Sequence, residues 1–308
     1  ETLPLGDKPR DISEAIGKTI SAFAPVWEYC NYDIVFALGD RYEMFAAVLS
    51  ALPYNRSFAH IHGGETTHGA IDNSFRNAIS LMSTLHFTTT DEYRVRVISI
   101  IGSTNHVYNV GALSIDNIKA KNYLSIDEFY RQFNIDLRLR SVLVTFHPET
   151  VTFEKNENHI NEIISVLNEL KDFQIIITMP NADTMGLTIR KRINEYLATA
   201  TNSVGIESLG SCAYLTCIKY CSFMLGNSSS GFVEAAGFDT PVVNLGNRQQ
   251  GRIVTDNIFC AEIEKTSIIK AVYKALNYNR RTMQQIYGDG SASEKIIRIL
   301  KEYANEQL

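Results

Sequence analysis

The chain has 308 residues, a formal net charge of −5, and a composition that is 45% hydrophobic and 20% charged. Domains cluster near about 100–150 residues, so this length predicts two lobes rather than one. The ordinary composition excludes a disordered chain, and the scattered lysines and arginines offer no basic face to nucleic acid.

The first half of the chain alternates between short apolar runs and longer helical patterns. After an opening loop and an amphipathic helix, strands are predicted over 33–40, 56–64, 85–90 and 106–111, and helices over 41–54, 72–83 and 91–102. Strands and helices that alternate at this pitch predict right-handed βαβ units and a parallel sheet covered on both faces.

A polar stretch over 114–140 reads as a linker that carries a helix, and the pattern then restarts. Strands are predicted over 141–150, 173–183, 202–208, 222–231 and 241–251, with helices over 158–171, 186–198 and 212–221 and a helix start at 232–237. The fold class is therefore α/β with two Rossmann-like lobes. The predicted divisions are an N-terminal lobe (1–135), a C-terminal lobe (136–290) and a C-terminal helix (291–308) that packs back on the N-terminal lobe. Such lobes hold a ligand in the cleft between them.

The cysteines and the hydropathy pattern bound the location of the protein. The five cysteines are odd in number, lie in apolar segments and form no CxxC pair, which predicts buried reduced thiols, a cytoplasmic location and no zinc site. No run reaches the roughly 18–20 apolar residues of a membrane span, and the first residues lack the layout of a signal peptide. No membrane partner is expected.

The segment GNSSSGFVEAAG (226–237) is a loop of small residues that opens a helix. Its Ser228, Ser229 and Ser230, with the backbone N–H groups of a helix start, suit a phosphate or diphosphate. A single serine would be read as an ordinary N-cap. Glu234 has two readings: it accepts hydrogen bonds from a ribose diol, or it complements the helix dipole.

Two further segments of the second lobe carry candidate ligands for a diphosphate. Arg248 and Arg252 in NRQQGR suit bidentate contacts to phosphate, with a solvated loop arginine as the alternative. His147 in FHPET follows a buried strand, where a histidine either donates to a phosphate or leaving-group oxygen or is structural.

The remaining titratable cluster consists of Asp40, His62, Glu65 and Asp72. Removing a carbon-bound proton needs a base, and expelling a leaving group needs an acid, so several such groups facing one cleft indicate proton transfer. Each aspartate is equally placed to cap a helix. His62 and Glu65 lack the spacing of a helical HExxH motif, so no metal is expected.

Six segments, in order, resemble the hydrolysing UDP-N-acetylglucosamine 2-epimerases of sialic and legionaminic acid biosynthesis. They are GDRYE (39–43), HIHGGETT with GAIDNSFRNAIS (60–80), FHPET (146–150), PNADTMG (180–186), GNSSSGFVEA (226–235) and NRQQGR (247–252). The resemblance implies a glycosyltransferase-B-like fold and elimination of UDP through a 2-acetamidoglucal, followed by addition of water. It implies no cofactor, a UDP-sugar substrate, UDP as product, and a homodimer or homotetramer.

The implied substrate is UDP-N-acetylglucosamine, giving N-acetylmannosamine, or its 2,4-diacetamido-2,4,6-trideoxy analogue. A glycosyltransferase and an inactive nucleotide-sugar-binding protein remain the alternatives. By motif position, proton transfer falls to Asp40, His62, Glu65 and Asp72. His147 is also implied to be catalytic, in contact with phosphate or sugar. The implied ligands of phosphate, sugar or ribose are Arg41, Arg76, Asn181, Asp183, Ser228, Ser229, Ser230, Glu234, Arg248 and Arg252.

The chain departs from the family pattern at several points. Many relatives have glutamate at the position of His62, histidine at that of Asn77 and aspartate at that of Asn247. The family opens with a strand and a TGxRA(D/E)YG loop that this sequence lacks. About 60 residues, or two βα repeats, are therefore expected to be missing from the sequence as given.

Overall fold

The computed structural model describes residues 8–180, 185–281 and 285–307. The chain divides into two units. Unit 1 comprises Glu1–Thr67, Ile71–Asp116 and Ile286–Leu308, and unit 2 comprises His68–Ala70 and Asn117–Gln285.

The described residues form helices and parallel strands in alternation. The strands are β1 (Val35–Leu38), β2 (Phe58–Ile61), β3 (Leu85–Thr88), β4 (Val107–Asn109), β5 (Ser141–Thr145), β6 (Gln174–Thr178), β7 (Ser203–Ile206), β8 (Phe223–Gly226), β9 (Val242–Leu245) and β10 (Ile258–Ala261). The helices are α1 (Pro9–Tyr29), α2 (Tyr42–Ala51), α3 (Asp72–Leu81), α4 (Asp91–Ile101), α5 (Leu113–Lys119), α6 (Ile126–Phe133), α7 (Asn156–Leu167), α8 (Gly186–Leu197), α9 (Gly210–Tyr220), α10 (Glu234–Phe238), α11 (Lys265–Leu276) and α12 (Ala292–Gln307).

Unit 1 holds a parallel sheet in the order β1-β2-β3-β4. Strand β2 is buried along its whole length, as expected for a strand with helices on both faces. Helix α4 shows how local sequence sets an element: the Thr90 side chain accepts from the Tyr93 N–H at its start, and Gly102 ends it in the left-handed conformation. Helix α12 contributes Ile296 and Ile299 to the core of this unit.

Unit 2 holds a parallel sheet in the order β10-β9-β8-β5-β6-β7. Val142 and Val144 of β5 pack in one core and Leu143 packs in another, because alternate side chains of a strand point to opposite faces. Strand order reverses between β5 and β8, which pair directly although β6 follows β5 in the chain. This reversal is the point where open parallel sheets form a binding crevice.

The α/β class with two parallel sheets agrees with the sequence prediction. The predicted strands and helices occur in order, with ends that differ by a few residues. The pattern gave no prediction for β10 or α11, and it treated 114–140 as a linker that carries a helix. In that stretch, helix α6 begins with a capping box from Ser125 and Glu128, and it buries Phe129 in a core of unit 2. The chain accordingly enters unit 2 after Asp116, whereas the sequence placed the division at residue 135.

The cysteines are less buried than the sequence suggested. All five are free thiols, but only Cys217 and Cys221 are buried, whereas Cys30 is half-buried and Cys212 and Cys260 are exposed. Burial raises the pKa of the Cys221 thiol to about 12, so it is protonated near neutrality. Within the described residues, no helix is both long enough and apolar enough to cross a membrane.

Two histidines lie side by side in the buried centre of the unit 1 sheet. His60 of β2 pairs in register with His86 of β3, and each is at most 1% exposed. His60 Nε2 donates to the Gly39 carbonyl (2.9 Å), and its Nδ1 accepts from the Ser80 hydroxyl (3.0 Å). Desolvation lowers the pKa of both His60 and His86 to about 4, so both imidazoles are neutral in the folded unit.

This burial predicts acid lability. Because both pKa values lie below the ordinary value of about 6.5, the unfolded chain binds more protons between those values. The stability is thus fully present above pH 6.5 and is lost as the pH falls towards 4. We expect each histidine to reduce the free energy of unfolding by about 2 kcal/mol at pH 5 relative to pH 7.

Urea unfolding of the His86→Leu variant at the two pH values tests this expectation. The variant should lose part of the pH dependence, because leucine does not titrate. His68→Gln, which changes an exposed histidine, serves as the matched control and should keep the dependence of the unchanged protein. The same pH dependence in His86→Leu would show that His86 is not a cause.

Candidate active site

The turn after β2, HGGETT at residues 62–67, has a backbone conformation that requires glycine at two positions. His62 and Gly64 both have positive φ, at 69° and 80°. A Cβ on Gly64 would lie 2.3 Å from the Tyr93 carbonyl oxygen, so no side chain fits there. A Cβ on Gly63 would lie 3.0 Å from His60 Nδ1. The two glycines therefore let the turn pack directly onto α4 and the end of the sheet.

The turn brings His62 and Glu65 together. His62 Nδ1 lies 2.7 Å from Glu65 Oε1, and the Thr89 hydroxyl donates to the same oxygen at 3.3 Å. Because an ionised carboxylate only accepts hydrogen bonds, the Nδ1 of His62 carries a proton. The Glu65 side chain is 5% exposed and that of His62 is 21% exposed. A carboxylate that orients a partly exposed imidazole is an arrangement suited to proton transfer.

Arg76 ties this turn to the end of β1. Its guanidinium donates to the Asp40 carboxylate, to the Glu65 carbonyl (2.7 Å) and to the Thr67 hydroxyl (3.3 Å). The Arg76 side chain is only 2% exposed. The sequence predicted that Arg76 contacts phosphate or sugar, whereas the structure gives its buried guanidinium a set of protein partners. We assign it to organising the turn.

Other unit 1 residues of the predicted site lie near these elements. Asp72 is the first residue of α3, one turn before Arg76, and is 9% exposed. It occupies the first helical position rather than the N-cap, which is Ile71. Arg41 is the N-cap of α2, and its guanidinium donates to the Glu43 carboxylate at 3.1 and 3.2 Å.

Sequence reasoning missed Arg96 of α4. Its Nη1 donates to the Gly64 carbonyl at 2.9 Å and to the Thr66 hydroxyl. An arginine in the middle of an amphipathic helix gives no signal of this role, because the contact depends on how closely α4 packs against the turn. Thr89, which donates to Glu65, was missed for the same reason.

In unit 2, the loops after β5 and β8 meet at the point where strand order reverses. The Asn227 amide accepts from the His147 N–H and donates to the His147 carbonyl, both at 2.8 Å. Gly226 has φ of 144°, and a Cβ there would lie 1.9 Å from the Thr145 carbonyl oxygen. The Gly-Asn pair thus fixes the backbone that carries the predicted catalytic His147.

The serine loop is built differently from the prediction. Ser229–Gly231 form a single 3-10 turn, and α10 begins only at Glu234 and has five residues. A helix this short adds little dipole to an anion site, because the dipole sums over aligned peptide units. The loop instead offers hydroxyls: Ser230 Oγ lies 2.9 Å from Ser228 Oγ and 2.7 Å from Tyr214 Oη.

These hydroxyls line a pocket of about 360 Å³ in unit 2. Thr145 Oγ1 and Thr178 Oγ1, 2.7 Å apart, extend the row of hydroxyls from Tyr214. Burial raises the pKa of Tyr214, which keeps it protonated. The pocket is lined by Thr145, His147, Thr178, Met179, Glu207, Ser208, Leu209, Gly210, Ser211, Tyr214, Ser228 and Ser230. Ser229 is exposed and does not line it.

The loop after β9 packs against the same segment. Arg248 Nη1 and Gln249 Nε2 both donate to the Asn227 carbonyl, at 3.4 and 2.8 Å. Arg252 Nε donates to Gln249 Oε1 at 2.6 Å. The buried Nε of Arg248 has no hydrogen-bond partner within the described part of the chain. The predicted residues His147, Ser228, Ser230, Arg248 and Arg252 thus belong to connected loops of unit 2.

Two predicted ligands, Asn181 and Asp183, lie outside the described residues. Across residues 8–180, 185–281 and 285–307, no group of three or more His, Cys, Asp or Glu side chains is arranged to hold a metal ion.

Comparison with known proteins places these features in context. A family model described as UDP-N-acetylglucosamine 2-epimerase matches residues 2–301. The chain is 35% identical over 262 residues to the GDP/UDP-N,N'-diacetylbacillosamine 2-epimerase (hydrolyzing) of Campylobacter jejuni, covering 85% of this chain and 68% of the relative. It is 33% identical over 290 residues to the UDP-N,N'-diacetylbacillosamine 2-epimerase (hydrolyzing) of Legionella pneumophila, covering 94% and 76%.

A solved structure shows the same fold. The crystal structure of UDP-GlcNAc 2-epimerase from Neisseria meningitidis bound to UDP-GlcNAc matches with a TM-score of 0.80 at 21% identity, covering 94% of this chain and 82% of that chain. At this identity the likeness establishes the fold, which is glycosyltransferase-B-like as the sequence predicted.

The buried position of Arg76 predicts a large effect of its removal. Arg76→Met should reduce the free energy of unfolding by about 3 kcal/mol or more, because Asp40 and the Glu65 carbonyl lose their charged donor. Arg94→Met is the matched control, because half-buried Arg94 also donates to one backbone carbonyl, that of Val107. It should cost about 1 kcal/mol. Equal losses in urea denaturation would mean that Arg76 has no special organising role.

Proposed function

Because the chain belongs to the UDP-N-acetylglucosamine 2-epimerase family, we propose that it is a hydrolysing 2-epimerase acting on UDP-N,N'-diacetylbacillosamine. This sugar is the 2,4-diacetamido-2,4,6-trideoxy analogue considered from the sequence. Two relatives that are 33–35% identical to the chain are named for this substrate, which is the support for preferring it. The products would be UDP and the free 2,4-diacetamido-2,4,6-trideoxymannose.

The observation that carries the proposal is the hydrogen-bonded pair of His62 and Glu65 beside Asp40. In the elimination step, a base takes the C2 proton while the C1–O bond breaks and UDP leaves with the bonding electrons. We assign the base to His62, because its Nδ1 proton faces Glu65 and the imidazolium that forms would be stabilised by that carboxylate. Water then adds to C1 of the glycal, and a proton returns to the opposite face of C2.

Inversion at C2 requires a second proton-transfer group. Asp40 and Asp72 are the candidates, as the sequence predicted. Asp40 keeps a 26% exposed side chain even while it is bound to Arg76, so it can be reached by a ligand.

We assign UDP to the pocket of unit 2. Ser228 and Ser230 would contact the diphosphate, and Glu234 would contact the ribose. His147 would donate to a phosphate oxygen of the leaving group. Arg248 and Arg252 would add positive charge, with the buried Nε of Arg248 available as a further donor. Asn181, Asp183, Ser229 and Arg41 remain predicted ligands from their motif positions.

UDP-N-acetylglucosamine is the second candidate substrate, because the similar Neisseria structure holds it. The two sugars differ by an amide and a hydroxyl, a difference that pocket contacts can discriminate. We include in the proposal the cytoplasmic location and the homodimer or homotetramer expected from the sequence.

Proton NMR in deuterated water tests the chemistry and the substrate together. The protein incubated with UDP-N,N'-diacetylbacillosamine should release UDP and the free manno sugar with deuterium at C2, because elimination removes the C2 proton and hydration of the glycal adds a deuteron from the solvent. Turnover of UDP-N-acetylglucosamine alone would show that this sugar, and not UDP-N,N'-diacetylbacillosamine, is the substrate. Absence of turnover with both, together with UDP binding, would contradict the epimerase and favour a nucleotide-sugar-binding protein. Glu65→Gln is the internal control and should bind UDP but lose turnover.

The UDP pocket makes a separate prediction. Ser228→Asp should weaken UDP binding at least tenfold, because a carboxylate would face the diphosphate in the pocket. Ser267→Asp is the control, since Ser267 lies on α11 in the same unit and does not line this pocket. Isothermal titration calorimetry with UDP gives both affinities. Equal binding by the two variants would place the diphosphate elsewhere.

A further inference from the structure

Two arginines from neighbouring helices donate hydrogen bonds to the turn after β2 (residues 62–67). Arg76 of α3 donates to the carbonyl of Glu65 and the hydroxyl of Thr67. Arg96 of α4 donates to the carbonyl of Gly64 and the hydroxyl of Thr66. Each arginine thus binds one backbone carbonyl and one threonine hydroxyl of the segment from Gly64 to Thr67.

The turn needs such support because its backbone is not intrinsically favoured. His62 is a non-glycine residue with φ of 69°, a conformation that costs roughly 1 kcal/mol or more and persists only where the surroundings impose it. Gly64 sits against the Tyr93 carbonyl, where α4 passes. The Arg96 contacts to Gly64 and Thr66 flank Glu65 in the sequence, so they limit the positions that its carboxylate can take.

Arg96 is itself fixed on α4. Its Nη2 lies 3.3 Å from Glu92 Oε1, one turn earlier on the same helix, and its guanidinium lies 5.6 Å from the centre of the Tyr93 ring. Because the guanidinium of Arg96 contacts both α4 and the turn, it holds the turn at a fixed distance from the helix.

We propose that Arg96 is a positioning residue for proton transfer: it holds Gly64 to Thr66 so that the Glu65 carboxylate stays on Nδ1 of His62. This inference rests on the proposed function, which assigns His62 as the base. Arg96 acts through the turn and is not assigned any contact with the substrate.

The chain contains a matched control on the same helix. Arg94 Nε donates to the Val107 carbonyl of β4 at 2.9 Å. Both arginines are partly exposed and both bind a backbone carbonyl, but no contact of Arg94 with the turn is observed among the described residues. Arg94→Gln thus removes a comparable hydrogen bond while the turn keeps its two arginines.

The first experiment compares steady-state kinetics of Arg96→Gln, Arg96→Lys and Arg94→Gln on the UDP-sugar that the protein turns over. We expect Arg96→Gln to lower kcat at least tenfold with KM changed less than threefold, because substrate contacts are kept while the base is misplaced. Arg96→Lys should recover part of the loss. Arg94→Gln should stay within threefold of the unchanged protein. A kcat within threefold for Arg96→Gln, or equal losses in both glutamine variants, would overturn the proposal.

The second experiment does not depend on activity. Hydrogen–deuterium exchange of the amides in residues 62–67 should accelerate in Arg96→Gln and stay unchanged in Arg94→Gln. If the unchanged protein turns over no UDP-sugar, the proposed function fails while this measurement still tests the hold on the turn. If Arg96→Gln does not fold, Thr66→Val removes only the hydroxyl end of the contact and should shift exchange and kcat in the same direction. Exchange that is unaltered in Arg96→Gln, or in Thr66→Val where that variant replaces it, would overturn the proposal.

Discussion

Unit 1 depends on one buried charge, the guanidinium of Arg76. A buried guanidinium is stable only when its donors are satisfied and a negative charge lies close, and here Asp40, the Glu65 carbonyl and the Thr67 hydroxyl meet that need. The same contacts join the end of β1, the turn after β2 and the start of α3. The cost of burying the charge therefore enforces the geometry of the titratable side chains.

In unit 2, neutral groups rather than a buried charge fix the positions of the candidate site residues. The Asn227 amide satisfies both backbone groups of His147, and serine, threonine and tyrosine hydroxyls satisfy one another around the pocket. Glu207 also lines the pocket, but its carboxylate accepts from the guanidinium of Arg190, so the hydroxyls stay available to a ligand that brings its own negative charge. Unit 1 thus carries the titratable pair of His62 and Glu65, and unit 2 carries a pocket lined largely by hydroxyl groups.

The sequence predicted the parallel α/β fold and proposed residues for the candidate site, because both rest on local signals. Glycines and polar residues that end a strand mark its carboxyl edge, as with HGGE after β2 and GNSSSG after β8. Contacts made by long side chains across packed elements carried no such signal, so Arg96 and Thr89 were missed and the protein partners of Arg76 were not foreseen. Helix α6 was expected to lie in a linker rather than in a core, because its burial rests largely on Phe129, within an otherwise polar stretch.

The row of hydroxyls from Thr178 through Thr145 and Tyr214 to Ser230 and Ser228 has a consequence for how the pocket meets an anion. A hydroxyl changes from acceptor to donor by rotating its hydrogen, while its oxygen stays in place. The row can thus reverse its polarity cooperatively and turn a donor towards the ligand without moving any heavy atom. Because the row bears no formal charge, its hydrogen bonds to an anion would depend less on ionic strength than contacts made by charged side chains such as Arg248.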